Sequence, residues 1–234
     1  MAVQKNKQQP EETAKKQKET QPLPIGLDVR INSIVVPNSE SDNKQRATAS
    51  VNMNGCFAVR GVKVIEGPKG LFVAMPSYKN GSGEFKDFCH PVTKDFREQL
   101  NNAVLDAYKQ AVSQKAQAPA NGQQETESSP MKVDVRITAF TPSSENQRAS
   151  ASVNLNDSFA LKGVKVMEGE NGFYVSVPGY KSGDEYKEHY FPTTKDFREQ
   201  LHGEVLTAYN AAISQMQETA GQGGTEQGGM EQAM

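Results

Sequence analysis

The sequence predicts an α+β chain built from two tandem copies of one small antiparallel-sheet unit, each copy ending in a helix. Three observations predict it. The first is self-similarity: residues 46–79 match 148–181 at 20 of 34 positions, and 84–100 match 185–201 at 11 of 17. The second is a period-two alternation of apolar and polar residues early in each copy, the pattern of half-buried strands. The third is an apolar residue every fourth position late in each copy, the pattern of an amphipathic helix. The offset between copies falls from 106 to 102 to 101 along the chain, which places loops near 37–45 and 80–83.

Taking the elements in order, residues 1–24 carry five lysines among glutamines and glutamates and offer little to bury, so they read as a disordered tail. In the first copy, residues 25–115, Leu27, Val29 and Ile31 alternate with Asp28, Arg30 and Asn32 as a first strand. Ala47, Ala49, Val51 and Met53 alternate with Arg46, Thr48, Ser50 and Asn52 as a second. Asn54-Gly55, matched by Asn156-Asp157, reads as a hairpin turn. A third strand holds Phe57 and Val59, then Val62 and Val64 on the opposite parity; a bulge at Gly61, matched by Gly163, explains the slip. Gly67-Pro68-Lys69-Gly70 turns into a fourth strand, Leu71–Met75, and a short strand around Glu84–Phe88 follows. Thr93 caps a helix whose stripe is Phe96, Leu100, Val104, Leu105, Tyr108 and Val112. The second copy, residues 131–214, repeats this with Phe197, Leu201, Val205, Leu206, Tyr209 and Ile213. Residues 116–130 read as a flexible linker and 215–234 as a second disordered tail.

A unit of this size has a marginal core, and a short meander leaves bare edges. Two copies packed together answer both problems, so the chain is expected to form an intramolecular pseudo-dimer. Two independent units on a linker are the alternative. The 26 Lys and Arg against 28 Asp and Glu give a net charge of −2, so the chain is no bulk polycation. The absence of a long apolar run and of an apolar leader core points to a cytoplasmic protein with no membrane partner.

The run Gly61-Val62-Lys63-Val64-Ile65-Glu66-Gly67, then Gly70 to Ser77, Gly83-Glu84-Phe85-Lys86-Asp87 and His90-Pro91 resembles the SpoVG family, named for stage V sporulation protein G, a septation regulator. Arg46 to Val51 fits the same pattern, and Gly172 to Gly179 is its looser counterpart in the second copy. The resemblance implies a small antiparallel sheet with a C-terminal helix, usually dimeric. It also implies a bacterial regulator that binds nucleic acid and influences septation and sporulation. Two copies in one chain suggest a covalently fused dimer. Two adjacent basic residues often follow Met-Pro-Ser in the family. Here those places read Tyr78-Lys79 and Tyr180-Lys181.

No catalytic constellation is shared by the copies. His90 aligns with Phe191, His189 with Phe88 and His202 with Asn101; Cys56 aligns with Ser158 and Cys89 with Tyr190. The cysteines have no metal-ligand spacing and read as free thiols. The glycine-rich turns lead into strands rather than helix N-termini, so no phosphate loop is expected. The chain therefore reads as a non-enzyme without cofactor or metal.

The repeated cations carry more information. Basic residues recur at matched places, and Arg30, Arg46, Arg60, Lys63, Lys79 and Lys86 with Arg136, Arg148, Lys165 and Lys181 form the candidate nucleic-acid surface. Tyr78 and Tyr180 beside the lysines are candidates for stacking on unpaired bases. Residues 25–115 hold 12 basic and 9 acidic groups, while 131–214 hold 9 and 11, so the first copy is expected to supply most affinity. The partner is expected to be DNA or RNA. A protein-interaction or scaffold module that no longer touches nucleic acid is the alternative, and further self-association through remaining sheet edges stays open.

Overall fold

Strand alternation, turn chemistry and helix capping each take effect where the sequence places them, and the computed structural model describes residues 24–35, 44–115, 130–141 and 146–222. The first repeat runs β1 (Leu27–Ile34), β2 (Gln45–Met53), β3 (Phe57–Gly67), β4 (Gly70–Ala74), β5 (Ser77–Lys79), β6 (Phe85–Asp87), β7 (Cys89–Pro91) and α1 (Lys94–Lys115). The second runs β8 (Val133–Phe140), β9 (Gln147–Leu155), β10 (Phe159–Gly169), β11 (Gly172–Ser176), β12 (Gly179–Ser182), β13 (Glu185–Glu188), β14 (Tyr190–Pro192) and α2 (Lys195–Gln222). The N-terminal tail up to Leu23, linker residues 116–129 and the chain beyond Gln222 lie outside the described residues.

In each repeat a β1–β2–β3–β4 or β8–β9–β10–β11 meander forms the main antiparallel sheet. Ala47, Ala49, Val51 and Met53 are fully buried, as alternation requires. Asn54 and Gly55 both have positive φ (49° and 65°), and Asn156 and Asp157 repeat this at 49° and 53°, so both hairpins use the left-handed pair of a type I′ turn. The Asn54 and Asn156 side chains accept the Gly26 and Lys132 N–H groups at 2.6 Å, which ties each turn to the strand start beside it. The expected bulge is present: Val51 pairs Val59 while Ala49 pairs Val62, leaving Arg60 and Gly61 opposite one residue. Gly61 and Gly163 both take φ +75° there.

Each helix packs on its own repeat's sheet, capped by Thr93 or Thr194, whose hydroxyl accepts the N–H three residues on at 3.3 Å. Phe96, Leu100 and Val104 are buried, but Val112 is exposed, so the first stripe ends a turn earlier than the periodicity suggests. The second helix continues to Gln222, past the boundary expected at 214.

The expected four to five strands describe the main sheets; the structure adds short strands outside them. Pro76 and Pro178, which follow β4 and β11 and carry no N–H, end those ladders, and the chain turns off into separate hairpins, β5–β6 and β12–β13. The last short strand of each repeat crosses over. β7 pairs with β10 of the second repeat (Cys89 with Leu161, Pro91 with Phe159), and β14 pairs with β3 of the first (Tyr190 with Val59, Pro192 with Phe57). Backbone bonds extend both contacts: Lys162 N–H donates to Phe88 O and Arg60 N–H to His189 O, each at 2.7 Å. Phe96 lies edge-on to Phe159 and Phe57 edge-on to Phe197, each pair spanning the repeats at 6.0 Å. The buried apolar cluster accordingly draws on both repeats.

Candidate nucleic-acid interface

The face of each sheet turned away from the core is polar because β2 and β9 alternate. Thr48, Ser50 and Asn52 form the middle of one outer face, and Ser150, Ser152 and Asn154 the other. Register then places a cation on each side of that strip. Arg30 lies opposite Ser50 and Lys63 opposite Thr48; Arg136 lies opposite Ser152 and Lys165 opposite Ser150. All four cations are exposed. Cations flanking small hydroxyl and amide side chains are the chemistry that contacts phosphate and sugar.

The other expected cations divide. Arg46 donates from Nε to Glu66 Oε2 at 2.7 Å, with its side chain 14% exposed, and Arg148 is paired in the same way with Glu168. These two arginines, expected on the candidate nucleic-acid surface, are therefore held across the sheet by a carboxylate. Parity shows which face a residue points to but not which acid the next strand brings beside it. Arg60 lies over the Phe191 ring at 4.1 Å, and Lys79 over Phe85 at 5.2 Å. Lys86 lies opposite Tyr78 in the first hairpin, and Lys181 opposite Tyr186 in the second. Arg97 and Arg198 donate to Pro91 O and Pro192 O, fixing each crossing strand to its own helix.

Between the hairpins, four rings form a continuous column. Tyr78 stacks on Phe88 at 4.8 Å, Phe88 on His189 at 4.4 Å, and His189 meets Tyr180 at 5.0 Å. The column crosses from one repeat to the other at Phe88–His189. Desolvation among these rings lowers the His189 pKa, and its Nδ1 is buried without a hydrogen-bond partner. Desolvation also lowers the pKa of His90 and of His202. Next to the column, burial pushes the Cys89 thiol and the Tyr190 phenol well above their ordinary values, and the Tyr190 hydroxyl donates to Lys162 O at 2.6 Å. Cys56 and Cys89 are both buried.

The SpoVG family model matches residues 27–110 and again 131–211. The chain belongs to the SpoVG family. Among its relatives, a Clostridium botulinum protein is 46% identical over 87 residues, covering 37% of this chain and 90% of that protein. One from Caldicellulosiruptor saccharolyticus is 41% identical over 86 residues, covering 37% and 92%, and one from Heliobacterium modesticaldum is 43% identical over 86, covering 37% and 91%. Each bears the name "Putative septation protein SpoVG". Each match is about one repeat long, so this chain carries the SpoVG unit twice.

Set on the two SpoVG units, nine of the twelve expected residues fall into two groups: Arg30, Lys63, Arg136 and Lys165 on the outer faces, and Tyr78, Lys79, Lys86, Tyr180 and Lys181 on the hairpins beside the column, while Arg46 and Arg148 are held by carboxylates and Arg60 lies over Phe191. Among the described residues no group of three or more His, Cys, Asp or Glu side chains is placed to hold a metal ion. No helix among them is long and apolar enough to cross a membrane. Sequence reasoning missed Phe88 and His189 as a site. Their alignment showed an unshared histidine, whereas the shared property is a planar ring at both positions.

Proposed function

We propose that this chain is a non-catalytic, cytoplasmic regulator in which two SpoVG units act as one fused dimer, binding DNA or RNA through the outer sheet faces and flanking hairpins and taking part in septation and sporulation. The observation that carries it is the doubled arrangement of exposed cations, Arg30 with Lys63 and Arg136 with Lys165, on either side of a hydroxyl and amide strip. Such contacts neutralise phosphates without reading sequence and weaken steeply with salt. The crossing strands β7 and β14 support the fused-dimer part of the reading. The septation part rests on the names of the relatives.

Gel-shift titration at about 50 and 200 mM salt tests the reading. The expected result is binding that falls steeply between the two conditions and is reduced in a chain with Arg30→Ala and Arg136→Ala. Absence of binding at both salts favours the scaffold reading, which the acidic partners of Arg46 and Arg148 also favour.

A further inference from the structure

A cavity of about 300 Å³ opens at the junction of the repeats, at the lower end of the size range of ligand pockets. Tyr78 and Phe88 line it from the first repeat, and Lys162, Lys165, Ser176 and Tyr186 from the second. Among the described residues that line it, none is acidic. Lys165 also belongs to the outer-face pair described above, so the cavity is continuous with that surface. Two glycines let its wall pack closely. Gly163 bulges with φ +75°, and a Cβ there would come within 3.1 Å of Pro178. At Gly179 a Cβ would meet both the Lys187 carbonyl and the Tyr186 ring at 2.6 Å, so glycine is what lets that ring lie against the hairpin backbone. Tyr186 remains 66% exposed and offers its ring to the cavity mouth.

We infer that this cavity takes an unstacked nucleobase of a single strand, its ring against the tyrosines and its phosphate on Lys162 and Lys165. The inference rests on the nucleic-acid reading above and specifies the substrate class. Aromatic faces with two ammonium groups and no carboxylate suit a planar ring joined to an anion. In a duplex both faces of a base are covered by its neighbours, so a duplex cannot fill the cavity without unstacking. The matched places in the first repeat differ where it matters: Ser77 replaces Gly179 and Ala74 replaces Ser176. The less cationic repeat therefore supplies most of the base site, and the more cationic one supplies Tyr78 and Phe88.

The test is fluorescence anisotropy on the full chain at about 50 mM salt. The probes are a short mixed-sequence single strand, as DNA and as RNA, the same length of abasic strand, and the matching duplex. The base-bearing strand is expected to bind about tenfold more tightly than the abasic one, the scale of one stacked base. Tyr186→Ala removes that difference, Tyr186→Phe keeps it, and Lys165→Ala weakens both strands. Tyr186 is largely exposed, so its variants fold, which circular dichroism checks. Equal binding of abasic and base-bearing strands overturns the base site and leaves the nucleic-acid reading standing. Discrimination that survives Tyr186→Ala also overturns the base site. Failure of every probe to bind overturns both.

Discussion

From Thr93 to Leu100 the first repeat is identical to Thr194–Leu201 of the second, whereas Asp87-Phe88-Cys89-His90 and Glu188-His189-Tyr190-Phe191 share no residue. The identical stretch starts a helix that packs on its own repeat's sheet. The divergent stretch contains the strand that crosses to the other repeat. In a symmetric dimer each residue at the centre meets its own copy. In a fused chain the two places can differ, and here they complement one another. Phe88 stacks on His189, and the small Cys89 is matched by the large Tyr190, both wholly buried. The copies are identical at the helix start, including the matched cross-repeat pairs Phe96–Phe159 and Phe197–Phe57, and specialised at the crossing strands.

The largest effect is expected at that meeting point. Tyr190→Ala removes a buried ring that touches Phe57 and strands the Lys162 carbonyl, and is expected to cost about 3–5 kcal/mol in chemical denaturation. Cys89→Tyr overfills the junction and is expected to cost about 1–3 kcal/mol, part of which returns when Tyr190→Cys is added. A double variant no more stable than the sum of its parts breaks the idea of a complementary pair.

A second difference is titratable. His189 has its pKa lowered in the fold, so the unfolded chain binds the proton more readily and stability rises with pH. The contribution is complete above the unfolded value of about 6.5 and is lost as pH falls through the folded value. His90 and His202 act in the same direction. Thermal melts are expected to fall from pH 7 to 5. His189→Phe, which copies Phe88, is expected to flatten that fall; an unchanged slope places the pH dependence elsewhere.

Arg30→Ala and Arg136→Ala compare the outer faces directly. Each is expected to lower the slope of log affinity against log salt by about 0.9 if it holds one phosphate. The first repeat, with its surplus of basic residues, is expected to show the larger loss of affinity. The smallest effect is at Glu66→Gln or Glu168→Gln, where loss of a partly exposed ion pair is expected to cost under about 1 kcal/mol.

Much of this architecture was legible from residues. Alternation placed Ala47, Ala49 and Val51 in the core, a parity slip located the Gly61 bulge, and Thr93 marked the helix start. Strands β7 and β14 were not legible as crossing strands, because three residues ending in proline carry no measurable period. Of the candidate site, Arg30, Lys63, Arg136 and Lys165 were visible as cations repeated at matched places. The fates of Arg46 and Arg148 were not, because Glu66 and Glu168 reach them through cross-strand register, which a single strand does not reveal. The aromatic column was hidden because it joins residues from both repeats.

The central claim is that the two SpoVG units share one interior through their crossing strands. Scanning calorimetry of the full chain with and without Tyr190→Ala tests it most directly. One transition is expected in both proteins, with calorimetric and van't Hoff enthalpies equal, displaced as a whole to lower temperature by the substitution. Two separate transitions, with Tyr190→Ala moving one and leaving the other in place, would contradict it.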